Sequence, residues 1–178
     1  AIVAEYLTLL GGHGHQVDVW AGHSQDLLGE FSRREGRARG LRLAGVFMDQ
    51  CGSRFWPDLS ALLQCGALLP GAVVVADNVL KPGAPLFLWQ LFHGEAAPWF
   101  TAEVVSLEEF AMPGVEDWVL VARYSPPASV AEQAAPIPAT APRQPPAEVA
   151  ELEWAARRIR DRAAQPGSVS FDDWASHS

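Results

Sequence analysis

The chain has 178 residues and a formal net charge of −8, a size that suits one buried core with a tail and a charge that excludes an extended phosphate-tracking surface. Two cysteines are too few for a disulfide framework, so a reducing, cytoplasmic setting is expected. No apolar run reaches the roughly twenty residues that cross a bilayer and no secretory leader opens the chain, so neither membrane nor nucleic acid is expected as a partner.

Residues 2–10 begin on a helical pattern, with Ile2, Val3, Tyr6, Leu7 and Leu10 on one face and Gly11-Gly12 as its stop. A start inside an element reads as a piece of a longer polypeptide. Val17-Asp18-Val19-Trp20 has the pattern of a short strand, and Ser24 or Asp26 is placed to cap the helix continued by Leu27, Leu28 and Phe31. Arg33, Arg34, Arg37, Arg39 and Arg42 follow as a solvated helix end and loop. The strand–helix unit then repeats: Leu41 to Met48 is a strand that ends at Asp49, and Leu59, Leu62 and Leu63 lie at helical spacing behind Pro57-Asp58.

Leu68-Leu69-Pro70-Gly71 reads as a turn, and Ala72 to Ala76 is uniformly apolar enough for the centre of a parallel sheet. Ala84 to Leu91 is a further helix, while Phe100 to Val105 and Trp118 to Arg123 are two strands expected as an antiparallel pair at the sheet edge. Residues 125–146 hold seven of the fourteen prolines and read as an extended Pro/Ala-rich linker. Residues 147–164 read as a helix outside the catalytic core, with Val149, Leu152, Ala156 and Ile159 on one face and Glu153 paired with Arg157. In the last residues, Phe171 and Trp174 lie amid Asp and Ser, and disorder is favoured over a docking tail. The expected organisation is a domain over 1–124, a linker over 125–146, and a helix with a tail over 147–178.

Two segments carry the chemistry. Phe47-Met48-Asp49-Gln50 and Val75-Ala76-Asp77-Asn78 each run an apolar strand straight into acidic residues. Carboxylates at the carboxyl ends of neighbouring parallel strands converge on the crevice where open α/β sheets bind ligands. Two Asp oxygens with the Asn78 amide oxygen suit a hard cation such as Mg²⁺.

The stretch LAGVFMDQCGSRFWPD, the later LLQCGALLPGAVVVADNVLKPGAP and the upstream GHSQDLL together resemble the catechol O-methyltransferase family, over about residues 1 to 124. The resemblance implies an α/β fold: a Rossmann-like methyltransferase sheet, parallel with an antiparallel edge pair, lacking the first strands and followed by a C-terminal helix. It implies Mg²⁺-dependent methyl transfer from S-adenosylmethionine to a hydroxyl of a catechol or related phenol. Carried over, it makes Asp49, Asp77 and Asn78 the metal ligands and places Ser24, Gln25 and Gln50 at the cofactor's adenine. It sets Pro82 beside the catechol ring and makes Glu108, with Glu109 as the neighbouring choice, the acceptor of the second hydroxyl.

The departures are as informative. Where the family has a lysine as general base the chain has Gly52, and Lys81 and Arg54 are the nearest substitutes in sequence, with Lys81 the catalytic candidate. Cys51 replaces an aromatic gatekeeper. The family's glycine-rich loop and ribose-binding acid would precede Ala1, so the chain reads as N-terminally incomplete. In the family's strand order two further strands separate the one at Val17 from the one at Leu41, so the remaining strands are not expected to form one continuous sheet without a preceding segment or a neighbouring domain. The alternative is a decayed, non-catalytic methyltransferase-like interaction module. Simpler roles stand beside these: a helix cap for Ser24, a solvated strand-end charge for Glu108, a polar turn for His13 and His15, and core packing for Trp56, Trp89, Trp99 and Trp118.

Overall fold

The computed structural model describes residues 18–37, 39–108, 114–128 and 144–163. The expected helix over 2–10, His13 and His15, Glu109, most of the linker and the tail beyond 163 lie outside the described residues.

Four strands form one sheet: β1 (Leu43–Met48), β2 (Leu68–Ala76), β3 (Phe100–Glu108) and β4 (Glu116–Tyr124), in the order β1-β2-β4-β3. β1 and β2 are parallel, with Val46 opposite Val74 and Met48 opposite Ala76. β4 runs antiparallel to β2 and β3 antiparallel to β4, so the edge pair expected from the sequence is present. β2 is the central apolar strand, but it starts four residues before the expected Ala72. The segment that reads as a turn is carried within the strand as a register irregularity between Leu43 and Gly45, where Gly71 takes a φ of 83°. Residues 18–20 are not a strand, and the sheet is continuous without them.

The helices are α1 (Ser24–Phe31), α2 (Phe55–Gln64), α3 (Pro85–Phe92) and α4 (Ala147–Ala163). The residue before α1 is His23, and neither Ser24 nor Asp26 caps it. Arg34 and Arg39 are exposed and hold local partners, Glu30 and Glu35 at the four-residue spacing, a solvated helix end as expected, whereas Arg42 is partly buried and donates to the Leu68 carbonyl at 2.5 Å.

The core lies between one sheet face and α2 and α3. Phe55, Leu59 and Leu63 of α2 and Phe87 and Leu91 of α3 meet Val74, Ala76, Leu120 and Ala122 of the sheet. Phe55 and Phe87 pack edge-on with ring centroids 5.3 Å apart. Each of these large side chains contributes about 1.5–3 kcal/mol when fully buried. Burial along β2 alternates rather than being continuous: Ala72, Val74 and Ala76 are buried while Val73 and Val75 are only partly so. Among the described residues only one face of the sheet is covered, which is why the uniformly apolar strand does not bury both of its sides.

Candidate active site

Asp49 and Asp77 are brought together by the parallel ladder itself. The Asp77 N–H donates to the Met48 carbonyl at 3.0 Å, so pairing continues past the formal strand ends and sets the two carboxylate-bearing residues side by side. Asn78 then turns the chain in a left-handed conformation (φ 54°, ψ 37°), which asparagine tolerates better than most residues. Its N–H donates to Asp77 Oδ1 at 2.9 Å.

A third acid completes this edge. β4 runs opposite to β2, so its first residues lie level with the carboxyl end of β2, and there Asp117 Oδ2 accepts from Asn78 Nδ2 at 3.1 Å. The other oxygen of Asp117 accepts the Trp118 N–H at 2.8 Å. A carboxylate only accepts, so this contact fixes which end of the Asn78 amide faces Asp117 and leaves the amide oxygen turned from it. Sequence reasoning missed Asp117. The available signal was an acid at the start of a strand expected to pair antiparallel beside the site.

The charges at this edge repel one another. Partial burial holds the Asp77 carboxyl above its ordinary range; the N–H of Asn78 acts in the opposite sense, and the nearby Asp117 and Asp49 charges push it up further. Among the described residues, no three His, Cys, Asp or Glu side chains are grouped so as to hold a metal ion by themselves. Asn78 is the oxygen donor that such a grouping leaves out.

Lys81 lies in the wide turn over Val79–Gly83 that follows Asn78, half-buried beside Pro82. Glu108 is not gathered with these residues. It ends β3, and its Oε1 accepts the Gly114 N–H at 2.8 Å across the turn to β4. Val104, Leu120 and Ala76 share one level across the sheet. Glu108 therefore stands three residues further along than Asp77 and two strands across, about 14 Å away by ordinary strand geometry.

Of the expected adenine-side residues, Gln25 borders a different feature, an open groove of about 640 Å³ between α1 and α2, lined also by Leu28, Gly29, Arg54, Asp58 and Ala61 among others. Asp58 is buried and both its oxygens are used: Arg54 Nη2 donates to one at 2.8 Å and Gln50 Nε2 to the other at 3.1 Å. Arg54 also reaches Gln25 Oε1 at 3.5 Å. Gln25 and Gln50, expected at one cofactor from different parts of the chain, are thus joined through Arg54 and Asp58. Ser24, also expected there, is the first residue of α1, directly before Gln25. The sequence singled out neither Arg54 nor Asp58 for this role, although their four-residue spacing is that of a helical ion pair. Asp49 and Gln50 are consecutive, so one loop serves both the carboxylate edge and the groove.

No family model matches the chain. It is 36% identical over 88 residues to catechol O-methyltransferase of Sus scrofa, a match covering 49% of this chain and 46% of that protein. It is 35% identical over 88 residues to the Bos taurus enzyme, covering 49% and 31%. A probable O-methyltransferase of Mycobacterium tuberculosis is 38% identical over 79 residues, 44% of this chain and 34% of that one. The chain thus spans less than half the length of these curated relatives. Among solved structures, an O-methyltransferase from Bacillus cereus in complex with SAH superposes with a TM-score of 0.53 at 16% identity, covering 68% of this chain and 58% of that one. A Klebsiella pneumoniae protein assigned as an O-methyltransferase gives a TM-score of 0.55 at 17% identity, covering 70% and 57%. No helix among the described residues is long and apolar enough to cross a membrane. Over about half its length the chain is a relative of the catechol O-methyltransferases, and its α/β sheet has the fold of O-methyltransferases of known structure.

Proposed function

We propose that this chain belongs to an enzyme that transfers the methyl group of S-adenosylmethionine to a hydroxyl of a catechol-type phenol with the help of Mg²⁺. The observation that carries this reading is the convergence of Asp49, Asp77 and an Asp117-oriented Asn78 at the carboxyl ends of two parallel strands. Two carboxylates and one amide oxygen fit a hard cation that keeps several waters, and a cation would relieve the charge repulsion that adds to burial in raising the Asp77 carboxyl. A divalent ion bound there lowers the pKa of a neighbouring hydroxyl and orients it.

The protein's own part is positional. Asp49, Asp77 and Asn78 define where the acceptor oxygen would sit, and Lys81 is the candidate to take its proton. In the transfer the acceptor oxygen forms the bond to the methyl carbon as the sulfur–carbon bond breaks, leaving S-adenosylhomocysteine. Gln25, Gln50 and Ser24 are the candidates for the adenine end; Gln25 lines the groove between α1 and α2, Ser24 precedes it in α1, and Gln50 is bonded to Asp58 of the groove wall. Glu108 keeps a substrate role in this reading only if the β3–β4 turn gives up its hydrogen bond to Gly114. A cytoplasmic setting goes with it, supported by two free cysteines.

Calorimetric titration of the intact polypeptide with S-adenosylmethionine and Mg²⁺, followed by a radiolabelled methyl-transfer assay on catechol, tests the proposal. Binding that requires Mg²⁺ and disappears in Asp77→Ala is expected. Absence of binding to intact protein overturns it.

Gly52 favours a second reading, a methyltransferase-like module retained for binding alone, because loss of a positioned base costs on the order of 10²–10⁴ in rate. Cofactor binding without detectable turnover on any catechol would select this reading.

A further inference from the structure

We infer that Arg160, on α4, is a positioning residue for the candidate active site, filling the space that a side chain at position 52 would occupy and tying together the two loops that carry the ligand residues. The inference rests on the reading of Asp49, Asp77 and Asn78 given above.

Gly52 has no positive φ, so the backbone does not demand glycine there. Space does. A Cβ on Gly52 would lie 2.6 Å from Arg160 Nη2, 3.0 Å from the Gly83 carbonyl oxygen and 3.2 Å from Ala84 Cβ. The first distance is below any ordinary contact, and the second sets the Cβ against backbone that cannot swing aside. Arg160 Nη2 donates to the Gly83 carbonyl, so one guanidinium touches both the loop that follows Asp49 and the turn that follows Asn78.

The rest of α4 is built to hold that guanidinium in place. The Arg160 side chain is only 12% exposed and that of Glu153 only 15%. The two stand seven residues apart, two turns along one face of the helix, with buried Ala156 between them. Glu153 Oε1 lies 3.9 Å from Arg160 Nη1, and its Oε2 accepts the Leu86 N–H at 3.4 Å, in the first turn of α3. A carboxylate in that place is favoured by the partial positive charge of a helix start. The face that docks is therefore a small and ionic one. Leu152, on the apolar stripe read from the sequence, is 58% exposed, and Glu153 pairs with Arg160 rather than Arg157.

A nearly buried cation with Nε and Nη1 lacking hydrogen-bond partners is costly to hold, and its removal is costly where its surroundings depend on it. Here they do: removing Arg160 leaves Glu153 buried without its cation and the Gly83 carbonyl without its donor. The chain has glycine at 52 because the space beside it belongs to α4.

Hydrogen–deuterium exchange on the full chain tests this without reference to catalysis. Arg160→Ala should speed exchange about tenfold in the amides of residues 50–55 and 79–86 while leaving β2 and β4 unchanged, and Gly52→Ala should act in the same direction. The double substitution should fall short of the sum of the two single effects, because the added methyl then meets no guanidinium and only its contacts with Gly83 and Ala84 remain. Arg160→Lys, which keeps one donor for Gly83, should recover most of the protection. Manganese binding followed by electron paramagnetic resonance gives the readout that loss of a merely structural contact would not move: its dissociation constant should rise about tenfold in Arg160→Ala and recover in Arg160→Lys. Exchange changes confined to α4, or effects of the two substitutions that simply add, would overturn the inference. If the unsubstituted chain binds no manganese, the metal reading fails, and the exchange results alone decide the role of Arg160.

Discussion

Asp117 does two opposing things to its neighbours. It aligns the Asn78 amide through a hydrogen bond, and it adds negative charge beside Asp77. Asp117→Ala separates them. Without that charge the Asp77 carboxyl should titrate at lower pH than in the parent, because a like charge nearby disfavours the ionised form. Carbonyl-carbon NMR titration of Asp77 reads this directly, and an upward or absent shift would mean that the two carboxyls do not interact. The same variant frees the Asn78 amide to rotate, so metal affinity should fall even though the site has lost a repulsive charge. At this scale the sequence singled out Asp49, Asp77 and Asn78, because a strand that runs straight into acid is a local pattern. It could not reveal Asp117, thirty-nine residues from Asn78 and adjacent only through antiparallel pairing. Gly52 is the reverse case: in the sequence it is a missing side chain, and only the packing of α4 shows that the space beside it is taken.

At the scale of the element, β4 is held by its buried last residue as well as by its ladder. Tyr124 closes the strand with 4% exposure, packed at 5.3 Å against Phe100, and burial raises its hydroxyl pKa above the ordinary 10.0 despite the nearby Arg42 charge. A group whose pKa is raised on folding favours the folded state fully while both states stay protonated. That contribution fades as pH rises past the unfolded value and toward the folded one. Chemical denaturation between pH 9 and 12 should therefore show stability falling above about pH 10, with a smaller fall in Tyr124→Phe. An identical fall in the two proteins would assign the alkaline loss to other groups. The elements also show what periodicity can and cannot supply. It places α2, α3 and α4 within a few residues, since each needs only its own apolar spacing. It offsets the docked face of α4, which keeps Ala156 of the apolar stripe but leaves Leu152 exposed, because Glu153 and Arg160 find their partners in Leu86 and Gly83, far off in sequence. It misreads Leu68 to Gly71 because a proline and a glycine that usually turn a chain are here absorbed within a strand.

For the molecule as a whole, the described sheet is asymmetric. α2 and α3 cover one face, while Phe47 on the other is 67% exposed and belongs to β1, the edge strand with no partner on its outer side among the described residues. An open, apolar edge is a template for another strand. The isolated chain should self-associate in sedimentation velocity at micromolar concentration, and Phe47→Asp should shift it toward monomer without changing its unfolding free energy by more than the small effect of an exposed substitution, about ±0.5 kcal/mol. A chain that is monomeric before the change would show that this edge is already covered.

Asp49 and Gln50 are neighbours in one short loop, one facing the carboxylate edge and the other bonded to the buried Asp58 beside the groove. On the proposed reading, a loop shared in this way would make the cation and S-adenosylmethionine thermodynamic partners. If ordering it by a cation raises the affinity for S-adenosylmethionine by some factor, S-adenosylmethionine must raise the affinity for the cation by that same factor. Four titrations, each ligand alone and in the presence of the other, close the cycle. A coupling above unity would mean that the two proposed half-sites are assembled through a single hinge of backbone, so that neither can be tuned by mutation without retuning the other.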